Sequence, residues 1–213
     1  LAEDASKRIQ VAYATHSPYF LEARHFDQVR RLTRSSGDTP TVAIHFATVD
    51  DVKARLYQIV NADVVERQLD GVVSDQLAVA LFAHRAFLVE GTTESSIFHG
   101  IGDKISIGLF ESTGISIVPV GGKTSIPLVH AILSAIGIPV YALFDADRGC
   151  EARAKAKGKQ QKKIDEELAK NAKENRTILK YFGIAEEDFP GATVSATVAI
   201  FEAHLESFLI ANW

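Results

Sequence analysis

Short apolar runs, each closed by acidic or glycine-rich residues, set the rhythm of the second half of the chain. Ala86-Phe87-Leu88-Val89 stops at Glu90-Gly91. Ile115–Val120 stops at Gly121-Gly122-Lys123, and Pro139–Phe144 stops at Asp145-Ala146-Asp147. Runs of this length without polar alternation are expected of strands buried on both faces of a parallel sheet. Between them, Thr93–Gly102 and Thr124–Ile136 read as helices, the second ended by Gly137. Alternating strands and helices with short loops predict right-handed crossovers onto one α/β sheet. A further run, Thr193–Phe201, reads as a last strand.

The first half has a different pattern. Ile9–Ala14 reads as a short strand, and Ser35–Pro40 is a cluster of turn formers that reads as a linker. Thr41–Phe46 reads as a strand. Val52, Leu56, Ile59 and Val60 then repeat at helical spacing, and Val73–His84 reads as another helix. After Asp147 the alternation breaks. Arg148–Ile164 is basic and low in complexity, and Asp165–Tyr181 continues as a helix with a thin stripe of Leu168, Ala172, Ile178 and Leu179. The expected organisation is a first segment over 1–40, a helical connector over 41–84, and an α/β unit over 85–213. A helical insertion interrupts that unit at about 149–182.

Composition narrows the class. The 213 residues are 46% hydrophobic, enough for a core, and the net charge is −4. That charge is unevenly spread. Residues 151–180 carry eight lysines and two arginines against five acids, a local excess of +5 that leaves −9 for the rest. A chain that starts at Leu1 and holds no methionine is expected to be a piece of a longer protein, cut at its amino end. The one cysteine, Cys150, excludes an internal disulfide and suits a reducing compartment, so a cytoplasmic location is expected. No apolar run reaches the roughly 18 residues of a membrane helix, so no membrane partner is expected.

The candidate chemistry lies at the strand ends. In open α/β sheets, ligands collect at the carboxyl ends of the strands. Glu90 and Glu94 follow one such end, and Asp145 and Asp147 close another. Gly91 is expected to let the backbone turn sharply beside a ligand. Four carboxylates in one cleft repel unless a cation lies between them. Hard divalent ions with oxygen ligands, Mg2+ or Mn2+, answer that need. Lys123 falls at a third strand end, where it either contacts phosphate or neutralises the acids. Arg148, Lys155, Lys157, Lys159, Lys162 and Lys163 form the basic stretch, which reads either as a solvated helix face or as a DNA contact.

Val89-Glu90-Gly91-x-x-Glu94 followed by Asp145-x-Asp147 resembles the Toprim domain of topoisomerases, primases and related nucleases, over roughly residues 85–210. Thr15-His16-Ser17-Pro18 resembles the switch-histidine loop of ABC-type ATPases. No G-x-x-x-x-G-K-[ST] phosphate loop is present, since Gly121-Gly122-Lys123-Thr124 matches only its tail. An ABC-type loop followed by a Toprim-like unit resembles the layout of the OLD (overcoming lysogenization defect) family. The resemblance implies that 1–40 is the end of an ATPase domain, with ATP bound only in an upstream part of the full-length protein. It implies a homodimer through that ATPase region and a metal-dependent DNA endonuclease or nickase using two divalent ions. Glu90, Asp145 and Asp147 would hold one ion. Glu94 and Glu206, with Ser195, would help hold the second. Where the family commonly has Asp-Leu-Glu, this chain has His204-Leu205-Glu206, and Glu202 is the alternative ligand. Two other readings stay open: a topoisomerase- or primase-type Toprim enzyme, and a non-enzymatic assembly module of the ATPase.

Overall fold

The computed structural model describes residues 11–71 and 75–212. The expected strand at Ile9–Ala14 lies partly outside them, and residues 11–14 are irregular. Two short 3-10 turns, Pro18–Phe20 and Ala23–Gln28, lead into an antiparallel hairpin of β1 (Arg31–Arg34) and β2 (Val42–His45). Ser35–Pro40, expected to be a linker, is the loop of that hairpin. Ser35 N–H donates to Thr41 O, and Thr41 N–H donates to Ser35 Oγ at 2.9 Å. The expected boundary at 40 therefore runs between two paired strands. Strand β1 escapes sequence reading because Arg31-Leu32-Thr33-Arg34 offers one strongly apolar position.

Helix α1 (Val49–Leu56) starts at a capping box. Thr48 Oγ1 accepts from Asp51 N–H at 3.2 Å while Asp51 Oδ2 accepts from Thr48 N–H at 2.8 Å. Helices α2 (Ala62–Gly71) and α3 (Asp75–Ala80) follow. The connector does not stand apart. Val52, Leu56, Val65, Leu69 and Leu77 belong to the same buried cluster as the sheet residues Leu88, Val118, Ala142 and Phe144.

The sheet is built from β3 (Arg85–Val89), β4 (Ile115–Pro119), β5 (Val140–Asp145), β6 (Thr193–Val194) and β7 (Val198–Phe201). Its spatial order is β4-β3-β5-β7-β6. All neighbours run parallel except β6, which is antiparallel to β7. The expected single strand at 193–201 is thus a hairpin. Ser195 Oγ accepts from Val198 N–H at 3.1 Å and donates to Val198 O at 2.9 Å, which folds the chain back.

Helices α4 (Thr92–Ile105) and α5 (Leu109–Ser112) join β3 to β4, and α6 (Ile126–Ala135) joins β4 to β5. Alternate residues along β3 and β5 face opposite layers. Leu88, Ala142 and Phe144 enter the large cluster with α6, while Val89 and Leu143 enter a smaller one with Ile117 and, at its edge, Phe98 and Phe110. Burial on both faces is the reason these strands read as unbroken apolar runs. Helix α6 is buried nearly all round, at Ile126, Leu128, Val129, Ile132 and Leu133, because α1 covers its outer side. The insertion folds as α7 (Cys150–Ala156) and α8 (Gln161–Tyr181), and α9 (Leu205–Asn212) ends the described chain.

Candidate active site: an acidic cluster at the ends of the central strands

Strands β3 and β5 are direct neighbours, with Ala86, Phe87 and Leu88 opposite Val140, Tyr141 and Ala142. Their carboxyl ends therefore lie side by side. Glu90 leaves β3 and reaches across, and its Oε1 accepts from the Asp145 N–H at 2.7 Å. Burial is the main force pushing the Glu90 carboxyl above its ordinary value, and that hydrogen bond opposes it.

Glu94 sits in the first turn of α4 and is buried, with Oε2 accepting from Gly91 N–H at 2.9 Å. Gly91 has an extended backbone, φ −144°, so the sharp turn expected of it is not the reason for glycine here. A Cβ at Gly91 would lie 3.2 Å from Glu94 Oε2, so the small residue makes room for that carboxylate.

Asp145 is the last residue of β5. Its Oδ1 is buried and has no hydrogen-bond partner, the one such side-chain oxygen or nitrogen among the described residues. Its carboxyl is pushed up to about 8, first by burial and then by the negative charges of Glu90, Asp147, Glu94 and Glu206. Five acids thus share one electrostatic neighbourhood, four from the two central strand ends and the fifth from α9.

The loop after Asp145 is zipped onto the end of β7. Ala146 N–H donates to Phe201 O, Asp147 N–H to Ala203 O, and Arg148 N–H to Glu202 O. Asp147 adopts a left-handed conformation, φ 57°, uncommon for a residue with a side chain. This conformation turns its carboxylate toward Lys123, whose Nζ lies 2.7 Å from Oδ2. The guanidinium of Arg153 stands 3.5 Å from Oδ1 on the other side.

Of the two roles open to Lys123, the geometry favours neutralisation over a phosphate contact. The side chain is 5% exposed and directed into the protein, toward the acids. Its other acceptors are Asp145 O and the buried amide of Asn175. Arg153 and Asn175 are site residues that sequence reading misses. Both lie in the insertion, and no local motif marks them.

The remaining expected residues divide by position. Glu206, in the first turn of α9, is near enough to Asp145 to raise its pKa, and its Oε2 lies 3.6 Å from His204 Nδ1. Glu202 is instead paired with Arg148, whose guanidinium also donates to Phe189 O. Ser195 does not join the cluster. The register pairs Asp145 with Phe201 at the carboxyl end of β7, and Ser195 lies before Val198 at the other end.

Lys155, Lys157, Lys159, Lys162 and Lys163 are all exposed on the insertion. Lys155 is paired with Glu151 and Lys159 with Glu167. Lys157 and Lys159 line a cavity of about 250 Å³ together with Asp147, Arg153, Glu167 and His204, so this part of the basic stretch opens beside Asp147.

The donor set is all carboxylate, which suits a hard divalent ion. The unpartnered Asp145 Oδ1 fits the same purpose, since a buried acceptor without a partner is costly. Among the described residues, no three acids, histidines or cysteines converge as a finished metal cage. Glu90, Glu94 and Asp147 are each engaged by protein donors.

Comparison with known proteins agrees with this geometry. Residues 81–147 match the family described as "Overcoming lysogenization defect protein-like, TOPRIM domain", a stretch that holds Glu90, Glu94, Lys123, Asp145 and Asp147. The chain is similar to an OLD nuclease of Thermus scotoductus, 28% identical over 148 residues, covering 69% of this chain and 26% of that protein. It is also similar to the Old nuclease of Escherichia phage P2, 30% identical over 139 residues, covering 65% of this chain and 22% of that protein. The chain spans about a quarter of the length of these curated relatives.

The acidic cluster has a pH signature. Asp145 moves from an ordinary 3.8 to about 8 on folding, so between those values the folded state keeps a proton that the unfolded state has released. Stability of the metal-free protein should therefore fall as pH rises from about 4 to about 8, with about 2–4 °C of thermal midpoint lost per kcal/mol. Asp145→Asn should remove most of that slope. Thermal melts in EDTA across this range check both statements.

Proposed function

We propose that this chain, which carries an OLD-like Toprim domain, is the nuclease part of a larger protein and hydrolyses DNA phosphodiester bonds with divalent ions. The observation that carries the reading is Asp145 Oδ1, buried without a partner amid the charges of Glu90, Glu94, Asp147 and Glu206. The relatives, each called an OLD nuclease, support nuclease chemistry. Endonuclease or nickase action, two ions, Mg2+ or Mn2+ as the ions, and an ATPase elsewhere in the full-length protein belong to the same proposal.

In this reading Glu90, Asp145 and Asp147 hold one ion, and Glu94 and Glu206 help hold the second. Ions bound there supply charge stabilisation at the phosphoryl oxygens and an attacking water of lowered pKa. The chain's own contribution is placement. Glu90 fixes the backbone of Asp145, and the left-handed turn at Asp147 aims its carboxylate inward. Phe144 and Ala146, on either side of Asp145, are buried in the main core and anchor the strand end that carries it. The exposed lysines beside the cavity bring the phosphate backbone to the acids, and that attraction weakens with salt.

Two measurements test this. Asp145→Ala or Asp147→Ala should lower cleavage of supercoiled DNA at least about a hundredfold while the protein stays folded, and EDTA should abolish cleavage by the parent. Mg2+ should raise the parent's thermal midpoint by mass action and leave that of Asp145→Ala nearly unchanged. Full cleavage by Asp145→Ala would sink the assignment. A folded, metal-binding protein that never cuts would restore the assembly-module reading.

Neutralising Lys155, Lys157, Lys159, Lys162 and Lys163 together should weaken DNA binding and flatten its dependence on salt, by up to about 0.9 in the log–log slope for each phosphate no longer neutralised. An unchanged affinity and slope would return these residues to a solvated helix face.

A further inference from the structure

An ammonium group has three N–H donors, and Lys123 spends all of them inside the protein. Its Nζ donates to Asp147 Oδ2 at 2.7 Å, to Asp145 O at 3.1 Å and to Asn175 Oδ1 at 3.1 Å. Asn175 is completely buried, and its amide is used up in turn. Nδ2 donates to Ala146 O at 2.8 Å and to Asp188 O at 2.7 Å. A flipped amide would set N–H groups against the ammonium and an oxygen against two carbonyls, so this network permits one orientation. Asn175 belongs to α8, the long helix of the basic insertion. One buried side chain therefore ties that helix both to the Asp145–Asp147 loop and to Lys123.

The two aspartates of the loop are treated differently. Asp147 is flanked by Lys123 and Arg153, whereas Asp145 Oδ1 faces no donor. A divalent ion entering the cluster would draw on the same Asp147 carboxylate that Lys123 already holds. Two cations a few ångströms apart on one carboxylate repel.

We propose that Lys123, set in place by Asn175, is a resident counter-cation that holds Asp147 until a divalent ion displaces it. Lys123 is then a positioning residue for the acid cluster and contacts no DNA. This inference rests on reading the cluster as a divalent-ion site, and it adds that ion entry and release of Lys123 are one exchange.

The test is Mn2+ titration of the chelator-stripped protein, followed by calorimetry and without any cleavage assay. Lys123→Met removes the charge at similar side-chain length. It should bind Mn2+ at least about tenfold more tightly than the parent and melt lower without metal, because the competing cation is gone and the acids repel. Lys123→Arg keeps the charge and should stay within about threefold of the parent. A purely structural lysine predicts weaker Mn2+ binding in Lys123→Met, and a DNA-contacting lysine predicts no change. Either result overturns the exchange.

The unmodified protein provides an answer even if Lys123→Met does not fold. In nitrogen-15-labelled protein, the exchange-protected Lys123 ammonium signal should shift or vanish as Mg2+ is added, with the midpoint of metal binding. A signal that stays unmoved at saturation overturns the proposal. Absence of any Mn2+ binding by the parent would instead fail the divalent-ion reading itself, which separates the two failures.

Discussion

Like charges crowded at adjacent strand ends are the constraint on which the structure depends. Parallel pairing of β3 with β5 brings Glu90 and Asp145 together, and the α4 turn and the first turn of α9 add Glu94 and Glu206. Within the protein, the repulsion is limited in three ways: a raised pKa at Asp145, backbone amides on Glu90 and Glu94, and Lys123 with Arg153 on Asp147. Each device costs the fold something. One carboxylate oxygen stays buried without a partner, one aspartate takes a left-handed backbone, and one lysine is drawn out of water. Costs of this kind gather at functional sites, where the strain serves the chemistry.

The rest of the molecule braces that cluster. Helix α6 fills the layer behind β3 and β5, and α1 covers α6, so the connector and the sheet share one core. The insertion does more than carry charge. Its exposed face holds the lysines, while Asn175 on its inner side reaches the Asp145–Asp147 loop.

The sheet is legible in the sequence because its strands are buried on both faces, which leaves apolar runs ending abruptly in acids. Glu90, Glu94, Asp145 and Asp147 are legible for the same reason, since a strand end fixes where its next residues go. The Ser195–Thr197 turn is hidden by β-branched neighbours on both sides, which continue the look of a strand. Lys123 is ambiguous in sequence because its partners are remote: Asn175 lies 52 residues away. Gly91 reads as a turn residue, but what its position requires is space for the Glu94 carboxylate, which only the folded helix supplies.

In the proposed reading, Asp145 Oδ1, buried and without a hydrogen-bond partner, is a ligand for a divalent cation. Crystals of the protein soaked in Mn2+, with data collected at the manganese edge, test it most directly. The account predicts an anomalous peak within about 2.5 Å of Asp145 Oδ1, with Glu90 and Asp147 turned toward it. A soak that leaves Asp145 Oδ1 without metal, or that gathers manganese only elsewhere on the surface, would contradict it.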